Sequence, residues 1–230
     1  MFKFTILILT FCLLSACQNG TSGGGSSISG PEPSSGKADY FVEFKEKMEI
    51  PDDFFVMEGF FQVKKLGNNY GLYLRPIPLE TKTMLFGPEI KGGLQVQADM
   101  FSAKSGRTYP SFGIGSHGIS GLQLRFSQNR KGGVLQLIYN ETQLLSSSEC
   151  EWTTDQWSRM KMKVVPAGKN KEGRVIYDIY GKCWTLKEKE PGWQIHYKGD
   201  LVLDEGQSSI IGIPYSGAAI FYDNLTIYKN

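Results

Sequence analysis

From Tyr40 to its C-terminus the chain alternates apolar and polar residues in short runs, and this two-residue period constrains its fold more than any other feature. Successive side chains point to opposite faces in a β-strand, so each such run reads as a strand with one buried and one wet side. Leu94, Val96, Ala98 and Met100 fall on one face, with Gln95, Gln97 and Asp99 on the other. Leu122, Leu124 and Phe126 alternate with Gln123 and Arg125, and Met160, Met162 and Val164 with Arg159, Lys161 and Lys163. The last run sets Ala219, Phe221, Asp223, Leu225 and Ile227 against Ile220, Tyr222, Asn224, Thr226 and Tyr228. Further strands are expected over 54–65, 70–75, 83–87, 109–115, 132–139, 173–183 and 209–214, separated by glycine and proline breaks. No helical period and no repeat interrupts them. About a dozen strands in about 190 residues predict one all-β domain, an antiparallel two-sheet β-sandwich.

Ahead of this domain, Lys3 is followed by an apolar run from Phe4 to Leu14 and then by Leu14-Ser15-Ala16-Cys17. A short basic start, an apolar segment and small residues make an export signal; the run is too short to span a bilayer. The four residues resemble the lipobox of bacterial lipoproteins. That resemblance implies removal of residues 1–16, acylation of Cys17 and membrane contact through the lipid anchor only. Residues 17–38 are then the lipidated Cys and a Gly/Ser/Pro tether, with Pro31 and Pro33 stiffening its far end, and 39–230 the sandwich. Gln18, not Asp, follows the Cys, which by resemblance to the enteric sorting rule points to the outer membrane. In the mature chain 24 basic residues, the 25 of the full chain less Lys3, face 23 acidic ones. Such a balance carries no footprint for nucleic acid. Of the four cysteines, Cys150 and Cys183 remain after Cys12 and Cys17 are set aside, and in an oxidising compartment an even pair is expected to form a disulfide.

Three segments look like the concanavalin A-like, or laminin G-like, jelly roll. They are Trp157-Ser-Arg-Met-Lys-Met-Lys-Val-Val165, the following run from Val175 to Trp184, and Gly212 to Gly217 followed by Phe221-Tyr-Asp-Asn-Leu-Thr-Ile227. The resemblance implies two sheets packed face to face, with the outer face of the curved one forming a groove that often binds polysaccharide. It also raises glycoside hydrolysis, which needs two opposed carboxylates. The Glu-x-Asp-x-x-Glu strand of the family-16 glycosidases is absent here. Glu149, Glu151 and Asp155, or Asp204 and Glu205, are the nearest acidic groups, and the 3-keto-disaccharide hydrolases are a second enzymatic relative. Ser116 and His117 are adjacent, which is not triad geometry.

A polar binding face is the better lead. Gln95, Gln97, Asp99, Gln123, Arg125 and Gln136 offer the hydrogen-bonding groups that sugar hydroxyls require, and Tyr139, Trp184 and Trp193, with Trp152 and Tyr109, offer rings for stacking. Arg159, Lys161 and Lys163 form a basic stripe suited to an acidic polysaccharide or to a solvated strand. Asp223, beside Asn224, is the candidate ligand for a structural calcium. The expected function is a non-catalytic module binding a polysaccharide or cell-envelope glycan. The alternatives are a glycoside hydrolase-like enzyme with a non-standard acid pair, and a structural or protein-binding envelope protein marked by an exposed apolar patch.

Overall fold

The computed structural model describes residues 28–34, 36–77, 80–129, 132–215 and 217–230. The signal segment, Cys17 and the tether up to residue 27 lie outside them. The described chain forms fifteen strands: β1 (Tyr40–Val42), β2 (Phe55–Glu58), β3 (Phe61–Leu66), β4 (Asn69–Leu74), β5 (Lys82–Ile90), β6 (Leu94–Ser102), β7 (Ser111–Ser116), β8 (Leu122–Asn129), β9 (Gly132–Tyr139), β10 (Gln143–Glu149), β11 (Ser158–Lys169), β12 (Val175–Thr185), β13 (Ile195–Asp200), β14 (Gly206–Ile213) and β15 (Ile220–Lys229). Eight build one sheet in the order β13-β12-β11-β6-β15-β4-β3, with β1 also on β15. Seven build the other in the order β10-β9-β8-β7-β14-β5-β2. Neighbours are antiparallel throughout, so the expected all-β two-sheet sandwich is what the chain forms.

The apolar alternates of both sheets meet in a single core. Leu94, Val96, Ala98 and Met100 of β6 and Met160, Met162 and Val164 of β11 pack with Ile114 of β7, Leu122, Leu124 and Phe126 of β8 and Ile210 of β14, all of them buried. Phe112 stacks on Phe126 at 5.2 Å, and Trp152 closes on both rings at 5.6 and 5.7 Å, so Trp152 is a core residue and no sugar platform. Each such side chain contributes roughly 1.5–3 kcal/mol by leaving water.

Three local features differ from the sequence reading. The strand expected over 54–65 is two strands in different sheets, because the chain crosses between them at Gly59, whose φ of 115° suits glycine. Strands β10 and β13 arise from polar segments with weak alternation. In β15 a bulge at Asp223–Thr226, with Asn224 at φ 52°, inserts a residue and resets the faces. Ile220 and Tyr222 point inward before it, Leu225 and Ile227 after it.

The cysteines are also a correction. Cys150 and Cys183 are both buried thiols, not the expected disulfide. Cys150 Sγ donates to the Cys183 carbonyl at 3.7 Å, so hydrogen bonds hold the pair side by side without a covalent link. The neighbouring Cys150 sulfur and complete burial push the Cys183 thiol well up.

Tyr222 is fully buried in β15, and its hydroxyl crosses the core to donate to the Ile211 carbonyl of β14 at 2.7 Å. This is a polar link between the two sheets. Tyr222→Phe should therefore lower unfolding stability by about 1 kcal/mol with an unchanged denaturant slope, as read by urea titration.

Candidate functional site

The residues expected to bind ligand do not converge. Strand parity sends them to opposite outer surfaces of the sandwich, with Tyr139 at its edge.

On the eight-stranded sheet the outward row Trp184–Arg159–Asp99–Asp223 runs across β12, β11, β6 and β15, and the next row is Lys182–Lys161–Gln97–Thr226. Asp99 is almost wholly buried. It accepts from Arg159 Nε at 2.5 Å and Nη2 at 2.7 Å, and from Asn224 Nδ2 at 2.9 Å. The hydrogen bond to Asp99 pushes the Arg159 guanidinium up. Lys161 and Lys182 share the Glu190 carboxylate at 2.7 and 2.8 Å. Burial raises the Glu190 carboxyl, but the two ammonium groups outweigh it and hold it below its ordinary value. Lys182 also lies 4.4 Å from the centre of the Trp193 ring.

This face is not open, because residues 28–34 lie across it. Ile28 N donates to Trp193 O at 2.9 Å, Trp193 Nε1 to Pro31 O at 2.9 Å, and Lys163 Nζ to Glu32 O at 2.8 Å. The Gln95 amide clamps Ser34 from both ends, accepting from its N–H at 2.8 Å and donating to its carbonyl at 3.3 Å. The basic stripe is thus covered, and the last part of the expected tether is docked on the sheet. Two cavities flank the strap. One of about 510 Å³ lies between residues 28–33 and Lys182, Glu190 and Trp193. The other, about 540 Å³, lies between residues 36–38, Phe41, Gln97, Arg159 and Tyr228.

The seven-stranded sheet presents the remaining pair, Gln123 and Arg125, on its own outer face. There the row Phe55–Leu85–Ser209–Gly115–Gln123–Ile138–Leu144 crosses β2, β5, β14, β7, β8, β9 and β10. Beside it runs Thr83–Ile211–Gly113–Arg125–Gln136–Ser147. The space over the two glycines is taken up by their neighbours: a Cβ on Gly113 would overlap the Leu124 carbonyl oxygen and crowd Arg125 Cγ, and one on Gly115 would overlap Ser209 Oγ. Gly113, Gly115, Ser209, Ile211 and Gln123 are buried, while Arg125 and Gln136 are part-exposed, with apolar residues at the rims. Gln123 Nε2 donates to Ile119 O at 3.1 Å, but Gln123 Oε1 and Arg125 Nε are buried with no partner among the described residues. Burial pushes the Arg125 guanidinium down. This glycine pair escaped the sequence reading, although the signal was there in the alternating glycines of Phe112-Gly-Ile-Gly-Ser116.

The other candidates have structural places. Tyr139 turns to the sandwich edge, where its hydroxyl donates to Val202 O at 2.9 Å. Asp223 Oδ1 accepts from Phe44 N at 2.9 Å, which ties the segment after β1 to β15. Among the described residues no three His, Cys, Asp or Glu side chains gather as a metal site. Asp99 and Asp223 are register neighbours, yet both face into hydrogen bonds and neither lines the two cavities beside the strap. Glu151, Asp204 and Glu205 are exposed and unopposed. His117 is buried: Ser116 Oγ lies 3.0 Å from Nδ1, and Nε2 reaches the Gly92 carbonyl at 2.9 Å, so the pair pins the turn between β5 and β6. His196 stacks on Tyr180 at 4.6 Å and bonds Asp178 at 2.8 Å.

No protein-family model matches the chain, and no curated protein matches it. Solved structures match its fold. A protein of unknown function with a galectin-like fold from Bacillus subtilis superposes with a TM-score of 0.57 at 12% identity, covering 84% of this chain and 96% of that one. The carbohydrate-binding module CBM66 from Bacillus subtilis gives 0.51 at 11% identity, over 79% of this chain and 99% of that one. The carbohydrate recognition domain of Emp47p gives 0.50 at 10% identity, over 84% and 96%. The chain is therefore a jelly-roll sandwich of the lectin-like kind in its fold.

Two predictions follow from the strapped face. Gly30 packs where a Cβ would sit 2.7 Å from both the Trp193 and Tyr180 rings. Gly30→Ala should displace the strap at a cost of about 1–3 kcal/mol, seen as faster hydrogen exchange at Ile28 N–H. Burial, aided by Asp99 and Glu43, raises the Asp223 carboxyl from 3.8 to about 6. The folded state then holds this proton more tightly than the unfolded one, so stability should fall as pH rises from about 4 to 6. Asp223→Asn should remove that decline from a pH series of thermal melts.

Proposed function

We propose that this chain is an exported, lipid-anchored, non-catalytic glycan-binding protein that uses the outer face of its seven-stranded sheet. The observation that carries this reading is the polar row Gln123, Arg125 and Gln136 on this outer face, in which Arg125 and Gln136 are part-exposed and two polar atoms, Gln123 Oε1 and Arg125 Nε, have no partner among the described residues. Amide and guanidinium groups are the donors and acceptors that sugar hydroxyls require, and exposed Phe55 at the rim offers a stacking surface. Lectin-like neighbours of the same fold support the reading.

A second reading, a protein-binding envelope module, draws on β2. This edge strand exposes Phe55, Val56 and Met57 together, and open apolar edges invite pairing.

A glycan array with the full-length protein in detergent tests the first reading, and Gln123→Ala or Gln136→Ala should weaken any bound glycan about tenfold. A chain that binds no glycan, but associates in sedimentation and loses that association on Met57→Lys, follows the second reading. The anchor is tested by fractionation: Cys17→Ser should move the protein from the membrane to the soluble fraction.

A further inference from the structure

Arg125 is a charged group without a counter-charge. All 23 Asp and Glu residues lie within the described chain, and none forms an ion pair with its guanidinium. Glu141 acts on it only through its field. The contrast with the other sheet is direct. There Arg159 has Asp99, and Lys161 and Lys182 have Glu190. Arg125 instead is part-exposed on the outer face, its cross-strand neighbours are Gly113 and the neutral Gln136, and its Nε is buried with nothing to donate to.

Charges withdrawn even partly from water are normally paired, because desolvating an ion costs free energy. We infer that the missing partner is supplied by the ligand, and that the glycan bound on this face carries a carboxylate, as a uronic acid residue does. This inference rests on the glycan-binding reading of the same face. A planar carboxylate matches the fork of a guanidinium, and the terminal nitrogens of Arg125, unlike its Nε, are not among the buried unpartnered atoms. The part-exposed amide of Gln136, its cross-strand neighbour, then takes a sugar hydroxyl.

The experiment is affinity electrophoresis of the full-length protein in detergent, run in gels containing polygalacturonate, carrageenan or dextran. These probes carry a carboxylate, a sulfate or no charge. Retardation by polygalacturonate, reduced about tenfold or more in Arg125→Gln and partly kept in Arg125→Lys, is the expected result. The same Arg125→Gln protein should melt at the wild-type temperature or higher, since an unpaired charge has been removed. A marked fall in melting temperature would make Arg125 a structural residue and overturn the inference. Retardation by carrageenan alone overturns the carboxylate. Retardation by dextran alone, lost in Gln123→Ala, overturns the acidic ligand while leaving the glycan-binding reading intact. No retardation in any gel, together with an empty glycan array, removes both.

Discussion

The contact between two largely apolar inner faces is the constraint on which the rest of this protein depends. β6, β11 and β15 present one of these faces, and β7, β8 and β14 the other. Since alternate residues must turn away from that contact, each sheet acquires a polar exterior, and the two exteriors are separated by the thickness of the core, with the sheets about 10 Å apart. A polar cluster can therefore form on either side but never across both. Gln95, Gln97 and Asp99 cannot join Gln123 and Arg125, although the same alternation produces all five.

The fold was legible because alternation is a local property with one physical meaning. Inward residues in β6, β8 and β11 follow directly from it. In β15 the parity failed, because a bulge at Asn224 inserts one residue and a slip of one exchanges the faces. The break at Gly59 was hidden for a similar reason: apolar residues continue through it while the chain changes sheets. The candidate site was legible as a set of residue types and not as a place. Which strands neighbour one another is fixed by long-range pairing, for example β14 between β7 and β5, and no short segment encodes that order. Trp152 and Tyr139 illustrate the same limit, since a ring suited to stacking on a sugar is equally suited to a core or an edge.

The two exteriors solve the problem of polar burial differently. On the eight-stranded sheet the solution is internal. Asp99, Arg159 and Asn224 satisfy one another, Glu190 bridges two lysines, and the backbone of residues 28–34 takes up the donors that remain. On the seven-stranded sheet it is incomplete, and Gln123 Oε1 and Arg125 Nε are left without partners among the described residues. A surface that has used its hydrogen-bonding capacity on its own chain is poorly placed to recognise anything else; one that has not is poised to do so.

Under the proposed anchoring at Cys17, the docked strap would limit how far the domain can travel. Its first hydrogen bond to the sheet among the described residues is at Ile28, ahead of Tyr40 where β1 begins. Eleven residues reach at most about 40 Å, against roughly 80 Å for the 23 that separate Cys17 from Tyr40. The strap lies on the eight-stranded side, so an anchor there would leave the outer face of the seven-stranded sheet turned away from it.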